Sequence, residues 1–220
     1  MIAALYVATG GVYFGLEGVD PWPESRDARL YAGPWPVVAH PPCSRWCRLA
    51  GLVEKRWGYK KGDDGGTFAA ALAAVRTFGG VLEHPAYSDA FAHFGLPKPT
   101  DKGGWQRGLC GGWSCHVEQW HYGHAAKKAT WLYAFGASSL PSLRWGATPD
   151  TAETAFVTDG GGRVKRGRAL VSWCGNRTKA GDKRKRLSGR AACASPPEFR
   201  DLLLDIARSC RPVPQIEANP

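Results

Sequence analysis

Three short apolar runs, each closed by a turn, constrain most strongly what this chain can fold into. Residues 3–7, 36–39 and 81–83 have the length and composition of buried strands, and glycine or proline follows each run closely. Helical periodicity occupies residues 45–57 and resumes at Thr67. Strands that alternate with helices are typical of a parallel sheet, in which loops at the carboxyl ends of the strands build the functional site. The sequence therefore predicts an α/β fold.

The second half of the chain has a different pattern. Residues 117–120 and 130–135 resemble two further strands, whose direction the sequence does not reveal. The last apolar stripe follows Ser195, an N-cap residue succeeded by proline, and is typical of a helix that docks on the body. We predict three regions: an α/β domain over 1–136, an arm rich in glycine, serine and charge over 137–194, and a docked helix over 195–210.

Positive charge is concentrated towards the end of the chain. The 29 Lys and Arg outnumber the 19 Asp and Glu, yet residues 1–160 hold 15 cations and 14 acids, whereas residues 161–220 hold 14 and 5. Eleven cations fall between Arg163 and Arg190, among them Lys183, Arg184, Lys185 and Arg186. Such a segment is attracted to a polyanion because phosphate contacts release condensed counterions. The prediction is a DNA partner, and a solvated charge run without a partner is the alternative.

The sequence also bears on the compartment. No stretch approaches the roughly 18 consecutive apolar residues that a membrane span requires, and no basic flank precedes the short apolar run that follows Met1. We therefore expect a cytoplasmic protein without a membrane partner. Seven cysteines, an odd number without a secretion signal, indicate free thiols, a metal site or a nucleophile rather than a disulfide framework.

Cys43 is the strongest candidate for chemistry. Pro41 and Pro42 stiffen the backbone directly after a predicted strand, so we expect the sulfur at the edge of the sheet. Arg45 and a helix that starts near Ser44 would favour the thiolate, which is the reactive form of cysteine. An inert buried cysteine in a proline-bounded turn is the other interpretation of this tripeptide.

Glu83 ends the third predicted strand, and we expect it at the same edge as Cys43. The apolar strand and the flanking Gly80 and Pro85 indicate an environment that can raise the pKa of the carboxyl group. A carboxyl group with a raised pKa can protonate or hold a ring nitrogen. The two residues together therefore predict a site for covalent chemistry on a heterocyclic ring.

These two motifs resemble those of the cytosine-5 DNA methyltransferase family, in particular its small phage and prophage DNA methylase-like members. Pro41-Pro42-Cys43 is similar to the family's Pro-Pro-Cys motif, and Glu83-His84-Pro85 is similar to its Glu-Asn-Val or Glu-Asn-Pro motif. Three further segments are similar to family motifs: the glycine-rich cofactor loop at Thr9-Gly10-Gly11 and 15–17, the Gln, Tyr-Gly and Lys-x-Thr segment at 119–132, and the closing Thr-Pro motif at 195–199. The resemblance spans most of residues 3–135 and the last helix.

The resemblance implies a Rossmann-like, methyltransferase-type sheet with helices on both faces, abbreviated and without a separate target-recognition domain. It implies a phage-encoded transferase that works in the bacterial host cytoplasm and methylates carbon 5 of cytosine in DNA with S-adenosylmethionine. In that reaction the Cys43 thiolate adds to carbon 6 of a flipped base, and Glu83 stabilises nitrogen 3.

The resemblance also assigns ligand contacts. Near the cofactor it places the loop of Thr9, Gly10 and Gly11, with Asp20 or Asp27 as the acceptor for a ribose hydroxyl. The loop over residues 59–66 would close over the base. The candidates for contact with the base and the phosphates are Pro42, Arg45, His84, Gln119, Lys127, Lys128 and the cations Lys183, Arg184, Lys185 and Arg186.

Two alternatives remain open on the residues themselves. One is a nucleic-acid-binding module stabilised by zinc, whose ligands would come from a crowded stretch of fifteen residues that contains Cys110, Cys115, His121 and His124. The sequence gives zinc less weight, because the gap between the two cysteines is at the outer limit of the usual spacing. The other is a pyrimidine-modifying enzyme with a different donor, because the span before Cys43 is short for a family cofactor half.

Overall fold

The computed structural model describes residues 1–47, 49–147, 187 and 189–211. Within them the chain forms a seven-stranded sheet with the strands β1 (Ile2–Leu5), β2 (Val19–Trp22), β3 (Val37–Ala39), β4 (Gly80–Pro85), β5 (Trp105–Arg107), β6 (Trp113–Glu118) and β7 (Ala129–Phe135). Their order across the sheet is β2-β1-β3-β4-β7-β6-β5. The predicted α/β class is confirmed, and the sheet is mixed.

Strands β1 to β4 form the parallel half of the sheet. β1 pairs with β2 on one side and with β3 on the other, and β3 pairs with β4. Every residue of β1 and β3 is buried, as expected of parallel strands that are covered on both faces. Gly80 allows the close approach of β4 to β3, because a Cβ there would overlap the carbonyl oxygen of Val37.

Strands β5 to β7 form the antiparallel half, in which β7 pairs with β4, β6 with β7 and β5 with β6. The predicted strand over 130–135 lies within β7. The predicted strand over 117–120 is wrong in its bounds, because residues 113–118 pair with β7 and the first three of them also pair with β5. The chain then turns in a short 3₁₀ helix, Gln119–Tyr122, that buries Gln119.

The described residues include the helices α1 (Ala50–Trp57), α2 (Thr67–Phe78), α3 (Asp89–His93), α4 (Gly189–Cys193) and α5 (Pro197–Ser209). α1 begins five residues later than predicted, because the backbone N–H groups of Trp46 and Cys47 donate to the carbonyl oxygen of Cys43 in a turn. α5 has Pro196 rather than Ser195 as its N-cap. No helix among the described residues is long and apolar enough to cross a membrane.

Helices pack on both faces of the sheet. On one face α2 buries an apolar stripe in the same cluster as Leu82 and Tyr133. On the other face α5 buries Leu203 in a cluster with Val81 and Leu132. Full burial of one such aliphatic side chain contributes roughly 1.5–3 kcal/mol, so the two clusters hold the sheet between the helices.

The predicted arm is described only at its two ends. Residues 137–147 return to α5, where Ala137 forms a β-bridge with Cys210, and the Ser138 N–H donates to the carbonyl oxygen of Ser209 over 3.2 Å. Leu140 and Leu143 pack against the α5 cluster. The cations at 183–186 lie outside the described residues.

Candidate active site

The two predicted catalytic residues lie at the same edge of the sheet. β3 and β4 are parallel, with Ala39 opposite Leu82. Cys43 is the fourth residue after the end of β3, and Glu83 comes directly after Leu82. Burial is the main cause of the raised pKa of the Cys43 thiol, and Cys47 and the negative charge of Glu83 add to it.

The strand order reverses at this edge. The chain runs from β1 outward to β2 and then returns to β3 on the opposite side of β1. In open α/β sheets, ligands bind where the strand order reverses in this way, just outside the carboxyl ends of the strands. The loop after β1 and the turn that carries Cys43 therefore flank the expected ligand position.

A chain of hydrogen bonds joins the loop after β1 to Glu83. The Tyr13 hydroxyl lies 2.9 Å from Nε2 of His40, and Nδ1 of His40 lies 3.0 Å from Oε2 of Glu83. From the other side, Nε2 of Gln119 donates to Oε1 of Glu83 over 3.4 Å and to the Thr130 hydroxyl over 2.9 Å. Both oxygens of the carboxylate are therefore held in place.

Three members of this chain were not predicted as site residues: Tyr13, His40 and Thr130. His40 directly precedes Pro41-Pro42-Cys43 and ends a buried strand, so its position could have identified it. Tyr13 has no comparable signal, because its role depends on how the loop after β1 folds back to β3. Gln119 was predicted, and its Oε1 is buried without a hydrogen-bond donor among the described residues.

The prediction of a raised pKa for Glu83 is wrong. Burial of the carboxyl group, whose side chain is 13% exposed, raises the pKa on its own. The hydrogen bond from His40 outweighs that effect, together with the positive charges of His40 and Lys128, and the net pKa lies below the ordinary value. Glu83 is therefore a carboxylate at neutral pH.

The prediction of a stabilised thiolate at Cys43 is also wrong. Burial raises the pKa of the thiol to about 11, and the neighbouring Cys47, Glu83 and Cys193 add to the shift. Arg45 lies over the ring of Tyr59, 4.3 Å from its centroid. The first helical residue after Cys43 is Ala50, so no helix N-terminus begins at Ser44.

The structure contradicts the prediction that His84 contacts a substrate. Side chains alternate between the two faces of a strand, and His84 lies on the face opposite Glu83, with its ring 5.1 Å from that of Phe68. It is fully buried, and burial lowers its pKa to about 4, although the Glu83 charge favours the protonated form. His84 is a neutral core residue.

Of the predicted cofactor residues, the glycine turn is open to a ligand, whereas the two aspartates are already hydrogen-bonded within the chain. Gly10 lies in an exposed turn after β1 with φ +66, and a Cβ there would meet no atom within 4 Å, so a ligand could approach the backbone of Thr9 to Gly11. The carboxylate of Asp20 already accepts from Arg26 over 2.5 Å and from Trp22 over 2.8 Å. That of Asp27 accepts from Arg29 over 2.8 Å. As placed, the acids do not fit the ribose role.

Other predicted contacts are engaged within the chain. Lys127 lies 2.6 Å from a carboxylate oxygen of Glu118, and Nζ of Lys128 donates to the carbonyl oxygens of Cys193 and Ala194 over 2.9 Å each. Pro42 is exposed beside Cys43. The loop over 59–66 is anchored near its end, because the Asp64 carboxylate accepts from Nε1 of Trp46 over 2.8 Å and from the Phe68 N–H over 2.9 Å.

The residues of the zinc alternative are not assembled. Among the described residues, no group of three or more His, Cys, Asp or Glu could hold a metal ion. Cys110 is exposed in a hairpin turn, 3.5 Å from the Tyr133 hydroxyl, and the buried Cys115 donates to the carbonyl oxygen of His116. His124 interacts through Nδ1 with the backbone of Ala126, and His121 lies in the 3₁₀ turn.

A scan against protein-family models, a search of curated proteins and a search of solved structures each found no match. The function is therefore inferred from the residues and from the geometry of the site.

Proposed function

We propose that this chain is a DNA base-modifying enzyme that attacks a pyrimidine ring with Cys43, and that cytosine-5 methylation is its reaction. The observation that supports the proposal is the position of Cys43 and of the anchored Glu83 carboxylate at the carboxyl ends of the adjacent parallel strands β3 and β4. The reversal of strand order next to them supports a Rossmann-like, methyltransferase-type arrangement, because ligands of open α/β sheets bind at such a reversal.

In the proposed step, the Cys43 sulfur bonds to carbon 6 of the pyrimidine and the thiol proton passes to nitrogen 3 by way of Glu83. The electron pair of the double bond between carbons 5 and 6 moves to join carbons 4 and 5, and that of the double bond between carbon 4 and nitrogen 3 moves to nitrogen 3, where it takes the proton. The resulting enamine makes carbon 5 nucleophilic. Because burial raises the pKa of the thiol to about 11, a free thiolate is disfavoured. Sulfur attack and proton loss are therefore coupled when the base is in place.

The chain from Tyr13 to Gln119 keeps the acceptor in position for that proton. His40 fixes one oxygen of the Glu83 carboxylate, and Gln119 fixes the other. The buried Oε1 of Gln119 is an additional acceptor beside Glu83, of the kind that the amino group of cytosine requires. This arrangement favours cytosine over thymine.

S-adenosylmethionine is the donor that goes with the family resemblance, and it would supply a methyl group for carbon 5. The exposed turn of Thr9, Gly10 and Gly11 fits a ligand-binding loop, whereas Asp20 and Asp27 are occupied by arginine. The attack by Cys43 does not depend on the identity of the donor, and another methyl or alkyl donor is compatible with it.

Hydrogen exchange at carbon 5 tests the proposal without any donor. Addition of Cys43 allows carbon 5 to take a deuteron from D2O, and loss of the original proton followed by release of the sulfur leaves a deuterated cytosine. We expect deoxycytidine from an oligonucleotide incubated with the protein in D2O to gain one mass unit at carbon 5 over time. Cys43→Ala should abolish this gain.

Cys47→Ala is the matched control, since it removes a neighbouring thiol outside the proposed reaction and should leave the exchange intact. If Cys43→Ala exchanges at the same rate as the wild-type protein, Cys43 is not the nucleophile. The absence of exchange in folded wild-type protein that binds the oligonucleotide would refute the reaction class. Added S-adenosylmethionine should then convert the exchanging base into 5-methylcytosine if it is the donor.

A further inference from the structure

The helix that follows Cys43 turns its apolar side chains towards solvent. Leu49 and Leu52 are exposed, and Trp57 and Tyr59 are 57% and 55% exposed. Ala50 is the only buried residue of α1. Beyond the buried Trp46, the helical spacing of apolar residues over 49–57 is thus not explained by packing within the described part of the chain.

The same segment accounts for the net positive charge of residues 1–160. Residues 45–61 contain six Lys and Arg and a single acid, Glu54. The other residues of 1–160 contain nine Lys and Arg and thirteen Asp and Glu. Residues 1–160 are therefore nearly neutral only in sum, because a strongly basic segment beside Cys43 is balanced by the net acidic charge of their other residues.

Cations and aromatic rings are interleaved in this segment. The Arg45 guanidinium lies 4.3 Å from the centroid of the Tyr59 ring, and that of Arg56 lies 5.0 Å from the centroid of the Trp57 ring. More than half of each aromatic residue still faces solvent. Each ring thus has a positive charge beside it and an accessible surface.

We propose that residues 49–61, here called the α1 surface, bind single-stranded nucleic acid by stacking unpaired bases on Trp57 and Tyr59. The inference rests on the proposed function and specifies its acceptor as a single strand or an unpaired segment. Base stacking on aromatic side chains combined with cationic contacts to phosphate is the general mode by which proteins bind single strands. A duplex keeps the faces of its bases inside its own stack, so it offers little to these rings.

The α1 surface lies close to Cys43 along the chain, since it begins six residues after it. Arg45 is two residues from Cys43, so their Cα atoms are at most about 7 Å apart. The backbone turn between them is closed by the bond from the Trp46 N–H to the Cys43 carbonyl oxygen over 3.0 Å, and the Gly62 N–H donates to the carbonyl oxygen of Arg45 over 3.0 Å. A nucleic-acid strand bound along α1 would therefore extend towards the Cys43 thiol.

The test is the affinity for a fluorescent single-stranded oligonucleotide of mixed pyrimidines, measured by anisotropy with the full chain. Trp57→Ala should weaken binding by between about 5-fold and 150-fold, the range that loss of one base-stacking contact spans. Trp57→Phe, which retains a ring, should stay close to the wild-type affinity. Trp35→Ala, which removes an exposed tryptophan outside the surface, is the matched control and should have no effect.

The salt dependence of binding tests the cations separately. Replacement of Lys55 and Lys60 by Ala should lower the slope of log affinity against log salt by about 1.4, or about 0.7 per phosphate contact with a single strand. Replacement of the exposed Lys98 by Ala should not change the slope. If the wild-type protein and both variants have the same salt slope, the α1 surface does not contact the phosphates.

Two outcomes would overturn the proposal: equal affinity for a matched duplex, or an unchanged affinity in Trp57→Ala. Dissociation of a dimer by Trp57→Ala, with the oligonucleotide affinity unchanged, would instead identify a contact between copies of the chain. Binding is measured in a Cys43→Ala background, so that failure of the base chemistry and failure of the α1 surface are distinguished.

Discussion

At the scale of single residues, the hydrogen bonds of His40 determine which protonation state Glu83 adopts. Burial alone would favour the neutral acid, but the imidazole and the nearby ammonium of Lys128 hold the pKa below its ordinary value. Sequence reasoning captured the burial of Glu83 and missed its partner, because His40 is 43 residues away along the chain. A carboxylate that is ready to accept a proton is the form that the proposed attack by Cys43 requires.

His84 provides a prediction about stability and pH. Its pKa is lowered from 6.5 to about 4 by burial, so between these pH values the unfolded chain binds a proton that the folded chain does not. The unfolding free energy therefore falls as the pH drops from 6.5 to 4, by about 3 kcal/mol from this residue. Urea unfolding of His84→Gln should show a smaller loss over this range than the wild-type protein.

The exposed His93 serves as the comparison for that experiment, because His93→Gln removes a histidine that water can reach. It should lose as much stability between pH 6.5 and 4 as the wild-type protein. If His84→Gln shows the same loss as His93→Gln, then His84 is not the buried neutral group that the core requires.

At the scale of elements, α1 and α5 have similar apolar spacing and opposite environments. The stripe of α5 is buried against the sheet, whereas α1 buries Ala50 and leaves its large apolar residues exposed. The spacing predicted both helices correctly in kind. The spacing could not predict which apolar stripe packs against the sheet, because the packing depends on the turn after Cys43 and on residues from distant parts of the chain.

The role of α5 leads to a prediction of its own. Leu203 is fully buried between α5 and the sheet, so Leu203→Ala should lower the unfolding free energy by about 2–5 kcal/mol through lost transfer energy and a cavity. Leu202→Ala makes the same chemical change at a partly buried position and should cost clearly less. Equal losses in urea unfolding of the two variants would argue against α5 as the cover of this face.

At the scale of the whole molecule, the mostly buried strands β1, β3, β4 and β7 were predictable, whereas the partly buried edge strands β2 and β5 were not. β1, β3 and β4 are buried, so their sequences are short apolar runs that can be recognised without knowledge of their neighbours. β2 and β5, with the sequences VDPW and WQR, are only partly buried. Their positions depend on pairing with β1 and β6. Three further features depend on the assembled fold: the reversal of strand order, the bond between Tyr13 and His40, and the basic α1 surface.

The distribution of charge over the whole chain makes the last prediction. The basic arm and the α1 surface are two cationic regions on a body whose other residues up to 160 are net acidic, so a nucleic acid held by both would contact phosphates at two places. Replacement of Lys183, Arg184, Lys185 and Arg186 by Ala should lower the salt slope of single-strand binding by up to about 2.8, or about 0.7 per lost phosphate contact.

Deuterium exchange at carbon 5, measured with saturating oligonucleotide, should be unchanged in this variant, because the arm contributes to binding and Cys43 to chemistry. The matched control neutralises Lys98 and Lys102, which are exposed outside the α1 surface and should leave the slope as it is. An unaltered slope in the arm variant would show that the arm does not contact phosphate, and the α1 surface alone would then account for the affinity.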